Sequence, residues 1–495
     1  MAAGQQFNKQ MKKELNQIYN WIDGKEAIQK SASWIDKYNP HNGKILYQVI
    51  DSTRRDVHKA ITIAQKNYSS WSDIPPPERG KIIQNIGLHM KENAYYLSKV
   101  FAIETGKPIK DAIGELNGAI MQANFFAGEG MRLYGKSLPS SIHNKYSHTI
   151  RESMGVAALI VPANTPIANI AWKVFPALIC GNTVVLKASE DAPKIAMEFA
   201  KLCKKAGLPD GVLNVIHGNG SQAGEALVLD KRVPVISFTG STVVGQRIAS
   251  LAGSRLAKVS LELGGINPLV VCADADIDNA VEWAILSAFS NAGQRCAAAS
   301  RIIVFDEIYT EFKRKLLRKT KQLKLGVSNH SDLGPVVNKK QQLFILDYFK
   351  EIKSYNGKIL CGGRAGSYGK NLNGYYIEPT LIENVNIESK LSNVEVFGPV
   401  AMIFSAKDID DAIALSNSSE YGLTGAIHTS NLDNAMNFAH SLKSGVVNIN
   451  LGTYGSEPHM PFGGSGLSGN GTREPGEEAL NIYSELKNIS YIIKK

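Results

Sequence analysis

The chain has 495 residues, 44% hydrophobic and 20% charged, with a net charge of +10. That length predicts roughly two to four domains of ~100–200 residues each, and the composition excludes a long disordered tract, a low-complexity segment or a repeat array. The positive balance comes largely from scattered lysines with acids among them, as in Lys313-Arg314-Lys315 and Lys319-Thr320-Lys321, so nucleic acid is not expected as a partner.

Five cysteines, Cys180, Cys203, Cys272, Cys296 and Cys361, stand at wide and irregular spacing. They form no disulfide framework and no zinc-type CxxC pair, so no metal is expected. Residues 1–19 are polar and basic without the apolar core of a signal peptide. These features predict a cytoplasmic protein. Residues 155–172 carry no charge, but Pro162, Asn164, Pro166 and Asn169 interrupt them. They fall short of the ~20 apolar residues a spanning helix needs and read as a core strand plus loop, so no membrane association is expected.

In chain order, helical periodicity covers residues 54–69 and 79–105. Residues 145–152 alternate like a strand. Short apolar runs at 156–161, 183–186, 212–216 and 235–238 read as buried strands, with a helix at 192–206 between the second and third. Ile195, Phe199, Leu202 and Cys203 give that helix one apolar face; Asp191 is placed to cap its start and Gly207 to end it. This rhythm predicts an α/β fold with βαβ units and a parallel sheet, which binds nucleotides at the carboxyl ends of its strands. A second alternating region at 266–447 has strands at 268–271 and 301–304 and helices at 276–290 and 309–323. Residues 485–493 alternate again; paired with 145–152 they would make an arm toward another subunit.

Two glycine-marked segments carry the chemistry: Leu261-Glu262-Leu263-Gly264-Gly265 and Asn291-Ala292-Gly293-Gln294-Arg295-Cys296. A thiol is a good covalent nucleophile and a carboxylate a good base. Cys180, Cys203 and Cys272 read as small core residues and Cys361 as a loop thiol. The small residues Ala297-Ala298-Ala299 after Cys296 suit a loop entering a short helix, whose positive end would lower the thiol pKa. Two prolines in Val161-Pro162-Ala163-Asn164-Thr165-Pro166 fix a loop presenting Asn164, whose amide can donate to a developing oxyanion. Lys187-Ala188-Ser189-Glu190 follows a strand and can bind ribose hydroxyls or an adenosine phosphate. Phe238-Thr239-Gly240-Ser241-Thr242-Val243-Val244-Gly245 follows another strand and opens a helix, whose amides would face a pyrophosphate. Each of these has a plainer structural reading when taken alone.

Together with Glu395-Val396-Phe397-Gly398-Pro399 and Pro461-Phe462-Gly463-Gly464, these motifs resemble the aldehyde dehydrogenase superfamily over residues 36–493, with a flavour of its semialdehyde and 2,5-dioxopentanoate dehydrogenase branch. The resemblance implies a Rossmann-type NAD(P)-binding domain (1–138 and 155–265), an α/β catalytic domain (266–450) and a β-strand oligomerisation arm (139–154 and 475–495), in a homodimer or homotetramer. It implies that Cys296 attacks an aldehyde, that Asn164 and the Cys296 N–H hold the oxyanion, and that Glu262 activates water against the thioester, with Lys173 and Glu474 in a proton relay. It places the cofactor against Pro162, Ala163, Lys187, Ser189, Glu190, Gly220, Phe238, Thr239, Gly240, Ser241, Val244, Leu263, Glu395 and Phe397. Glu190 would repel a 2′-phosphate, which favours NAD over NADP. Where the family usually reads Pro-Trp-Asn-Phe-Pro, this chain has Pro162-Ala163-Asn164-Thr165-Pro166. Thr165 and Asn169 therefore suggest a wider, more polar substrate mouth, and Arg295 would either lower the thiol pKa, meet an anionic substrate or form an internal salt bridge. A CoA-acylating enzyme and a non-catalytic relative are the alternatives; retention of Glu262 and Cys296 counts against both.

Overall fold

The computed structural model describes residues 17–29, 32–355, 357–369 and 373–493; most of the basic N-terminal segment, residues 1–16, lies outside them. Among the described residues two seven-stranded sheets form the frame. The first runs Lys258–Glu262, Val235–Thr239, Val156–Ile160, Thr183–Lys187, Leu213–Ile216, Asn20–Ile22, Lys25–Ala27, and its first five strands are parallel. The two N-terminal strands add an antiparallel edge that the polar opening of the sequence does not reveal.

Val156–Ile160 shows why these strands read as unbroken apolar runs. Ala157 and Leu159 enter one buried cluster, and Val156, Ala158 and Ile160 enter another on the opposite face. A strand covered by helices on both sides has no polar face to alternate with. The second sheet repeats the pattern: Val270 and Ile303 pack on one side, and Leu269, Val271, Ile302 and Val304 on the other. Strand order in the first sheet reverses at Val156–Ile160, which has Thr183–Lys187 on one side and Val235–Thr239 on the other. A crevice opens at such a reversal, beyond the carboxyl ends of the strands.

Several expectations are revised. Asp191 does not cap the helix Pro193–Lys205, which starts at Pro193 with no side-chain cap. Asp191 instead accepts from Lys37 Nζ (3.1 Å) and Asn338 Nδ2 (2.6 Å). Gly207, at φ +94°, does follow the end of the helix. The periodicity at 79–105 divides at Asn93 into Pro76–Glu92 and Ala94–Thr105. The uncharged run at 155–172 is strand, loop and helix: Pro166 takes the first turn of Pro166–Ile179, where a missing N–H costs nothing. Cys361 closes the strand Lys358–Cys361 and is no loop residue.

Ser484–Ile492 pairs antiparallel with Lys145–Ser153 along nine registered positions, and Ser137–Leu138 joins the far edge. This three-stranded sheet takes in residues 137–138, and on the C-terminal side it begins at Ser484. Leu480, Ile482 and Tyr483 before it are buried in the core of the first sheet. Among the described residues no helix is long and apolar enough to cross a membrane, and no cluster of acidic, histidine or cysteine side chains could hold a metal ion. Lysines of the basic helix Asp306–Thr320 pair with acids: Lys313 with Glu383, Lys315 with Asp278 and Lys319 with Glu282.

Candidate active site

The loop at 162–165 leaves the central strand, and its neighbour at 240–241 leaves Val235–Thr239, so both stand at the reversal point of the sheet. Asn164 is held from several sides. Its carbonyl accepts from Lys107 Nζ (2.8 Å) and Asn291 Nδ2 (3.1 Å), and its own Nδ2 donates to the Gln294 carbonyl (3.0 Å). That bond ties the loop to the cysteine segment, 130 residues away in sequence. Asn291, Ala292 and Gly293 all lie at positive φ (54°, 54° and 67°). A Cβ on Gly293 would come within 2.0 Å of the Gly398 carbonyl oxygen, so only glycine lets the turn pack against the 395–399 loop. Backbone held in this region costs of order 1–3 kcal/mol per non-glycine residue; here it delivers Cys296 to a cavity.

Asn164, Glu262 and Cys296 all line one cavity of about 360 Å³, with Thr165, Leu263, Gln341, Glu395, Phe397 and Phe462 among its other walls. A second cavity, about 450 Å³, is lined by Lys187, Ser189, Glu190, Gly220, Phe238 and Val244 and shares Pro162, Thr239, Gly240 and Ser241 with the first. A third, about 410 Å³, lies on the other side; Cys296, Asn164, Thr165, Trp172 and Phe462 belong to both it and the first. The cysteine thus stands where a crevice along the sheet meets a separate opening. Trp172 and Phe462, with ring centroids 5.4 Å apart, form the neck between the two.

Electrostatics at the centre differ from the sequence expectation. The chain after Cys296 enters the strand Ala299–Phe305, not a helix, so no helix dipole acidifies the thiol. Burial, then the charges of Glu262 and Glu395, push the Cys296 thiol up to about 12, against weaker opposing effects of the Ala297 N–H and Arg295. Glu262 is buried, and among the described residues neither carboxyl oxygen has a hydrogen-bond partner. Burial and then Glu474 hold its carboxyl well above the usual range, with Lys173 and Arg473 opposing. Glu395 is raised to about 7 by burial while its Oε1 accepts from the Gly265 N–H (3.0 Å). In the cofactor-free protein, iodoacetamide should therefore alkylate Cys296 faster as pH rises to and beyond the ordinary thiol value of 9.0. A plateau reached near neutrality would contradict this.

Behind Glu262, Lys173 Nζ donates to Glu474 Oε2 (2.7 Å) and Ser237 Oγ (2.6 Å), and the Ser237 and Ser260 hydroxyls donate to Glu474 Oε1. This pair is fully buried and lines none of the three cavities. Ala163 is likewise buried, with no face on the crevice. Asn169 does line the central cavity, but its amide is turned back on Thr165. Trp172, Gln341, Asp111 and Tyr454 line the cavities without a sequence signal of their own.

The model of the aldehyde dehydrogenase family matches residues 27–489. The chain belongs to the aldehyde dehydrogenase family. It is 36% identical over 473 residues to 2,5-dioxopentanoate dehydrogenase of Saccharolobus solfataricus, spanning 95% of this chain and 97% of that one. It is 35% identical over 479 residues to alpha-ketoglutaric semialdehyde dehydrogenase of Bacillus subtilis, spanning 96% and 98%. Its structure is similar to betaine aldehyde dehydrogenase from Staphylococcus aureus solved with NAD+: TM-score 0.94 at 32% identity, covering 97% of this chain and 95% of that one. As a member of the family, this aldehyde dehydrogenase is an oxidoreductase that converts an aldehyde to a carboxylic acid with a nicotinamide dinucleotide. The CoA-acylating and non-catalytic alternatives are not favoured. The residues present fit such a cofactor: a long crevice at the strand ends, a lysine and a carboxylate for ribose hydroxyls, and the start of the helix Thr242–Gly253 for phosphates. Gly264 fits as well, since a Cβ there would strike Glu395 Oε2 (2.1 Å), leaving that carboxylate no place beside the cavity.

Proposed function

We propose that this enzyme is hydrolytic, prefers NAD and acts on a polar aldehyde of the semialdehyde kind, with Cys296 as nucleophile, Asn164 as oxyanion donor and Glu262 as base. The observation that carries the reading is the shared cavity of these three residues, open to the crevice on one side and to a separate mouth on the other. Cys296 Sγ, its proton taken by Glu262 and shed to solvent before the water step, adds to the aldehyde carbon, and the carbonyl electron pair moves onto oxygen. The oxyanion meets the second Asn164 Nδ2 hydrogen and the Cys296 N–H, which has no acceptor among the described residues. When bound, the nicotinamide supplies a hydride acceptor. A water that loses its proton to Glu262 then attacks the thioester carbonyl, and the carboxylic acid leaves as the thiolate is restored. Glu262 is suited to this task because burial, then Glu474, raise its carboxyl above the usual carboxylate range and so make it a stronger proton acceptor. Lys173 and Glu474 tune that carboxyl and relay its proton.

Lys187 and Glu190, 3.2 Å apart, would hold the adenosine ribose, with Ser189, Gly220, Phe238, Thr239, Gly240 and Val244 around it. Ser241 would sit at the pyrophosphate, and Pro162, Leu263, Glu395 and Phe397 around the nicotinamide half. Carboxylate-bearing substrates are supported by the two semialdehyde dehydrogenase relatives. A homodimer or homotetramer is supported by the arm, where Tyr146 stacks on Tyr491 (5.7 Å) and Leu486, Ile489 and Ile492 stand exposed. A cytoplasmic setting is supported by five free cysteines.

The test is acid formation from a panel of aldehydes with NAD or NADP and no CoA. Acid is expected without CoA and with the higher kcat/KM for NAD, and Glu190→Gln should raise relative use of NADP by about two- to fivefold, one exposed charge contact's worth. A requirement for CoA would remove the hydrolytic assignment.

A further inference from the structure

The mouth cavity on the substrate side holds five charged side chains: Lys107, Lys110, Asp111, Glu115 and Arg295. Lys107 and Glu115 satisfy each other, and Glu115 Oε1 also accepts from the Ile167 N–H (3.0 Å). Lys110 is half-exposed and reaches Asp332 at 4.0 Å. Two opposite charges remain without a hydrogen-bonded partner among the described residues. Among the described residues Arg295 has no ion-pair partner and its buried Nε no acceptor; its guanidinium lies over the Tyr454 ring, 4.8 Å from the centroid. Asp111 has a buried Oδ2 with no donor. An internal salt bridge for Arg295 is thus absent among the described residues.

A guanidinium braced on an aromatic face keeps its fork free for a planar anion. Arg295 also directly precedes the nucleophile, and consecutive Cα atoms are only about 3.8 Å apart. Both residues line this cavity, so an anion on Arg295 shares its space with the sulfur. We propose that Arg295 binds the distal carboxylate of a short aldehyde acid whose carbonyl sits at Cys296, and that Asp111, facing the same space, opposes that carboxylate and sets how strongly it is preferred. This rests on the reading of Cys296 as nucleophile and adds to it the pair of residues that chooses the substrate.

Succinic semialdehyde and butanal differ only in a carboxylate for a methyl group, so the ratio of their kcat/KM isolates the contact. Any effect of Arg295 on thiol acidity cancels in that ratio. Arg295→Met should lower it by about 10–100-fold, the range for a charge-assisted contact, and Asp111→Asn should raise it. A readout without turnover accompanies these: succinate should protect Cys296 of the wild-type protein from iodoacetamide and should lose that protection in Arg295→Met. An unchanged ratio in Arg295→Met, a falling ratio in Asp111→Asn, or equal protection in wild type and variant would overturn the proposal. Failure to oxidise either aldehyde would instead count against the proposed function, while the protection assay would still report on the anion site.

Discussion

Cys296→Ser should lower aldehyde-dependent NADH formation by at least about 10³-fold, the scale of losing a covalent nucleophile. The reason lies in the surroundings of residue 296. Burial and two carboxylates already push its thiol up to about 12. An alcohol starts far higher and meets the same desolvation, so no useful fraction of alkoxide forms at that site. NAD binding should persist, because the cavity lined by Lys187, Glu190 and Gly220 does not include residue 296. Fluorescence titration of the variant with NAD, beside a turnover assay, separates the two effects. Retained dehydrogenase activity in the serine variant would end the assignment of Cys296.

What the sequence disclosed depended on how local the cause was. Val156–Ile160 is legible because burial on both faces leaves only apolar residues to choose from. Pro193–Lys205 is legible through its one apolar stripe and the glycine beyond it. Asp191 misleads because two tertiary partners, Lys37 and Asn338, outcompete the cap that local spacing suggests. The Cys296 environment misleads for the same reason at longer range. Its acidity is set first by enclosure and then by Glu262 and Glu395, distant in sequence, none of which the alanines after it reveal. Asp111 and Tyr454 carry no motif at all; only the fold sets them beside Arg295. The glycine-marked motifs were readable, yet their reason is spatial: Gly293 and Gly264 leave room for the Gly398 carbonyl and the Glu395 carboxylate.

Glu262→Gln should separate the two halves of the reaction. The amide keeps the size of the side chain but takes no proton, so thioester hydrolysis is expected to slow by about 10²–10⁴-fold, the usual scale for a general base. Hydride transfer precedes that step and should stay fast, the Cys296 proton passing straight to solvent. Stopped-flow mixing with aldehyde and NAD should therefore give a burst of NADH close to one per site, followed by a slow steady rate. A second effect runs the opposite way. The Glu262 charge helps raise the Cys296 thiol, so the variant's thiol should be more acidic and its alkylation profile should move to lower pH. A residue that merely supported the cavity would blunt both readouts together. Slower hydrolysis with a more reactive sulfur is the signature of a base that shares its cavity with the nucleophile, and loss of the burst in the variant would rule that role out.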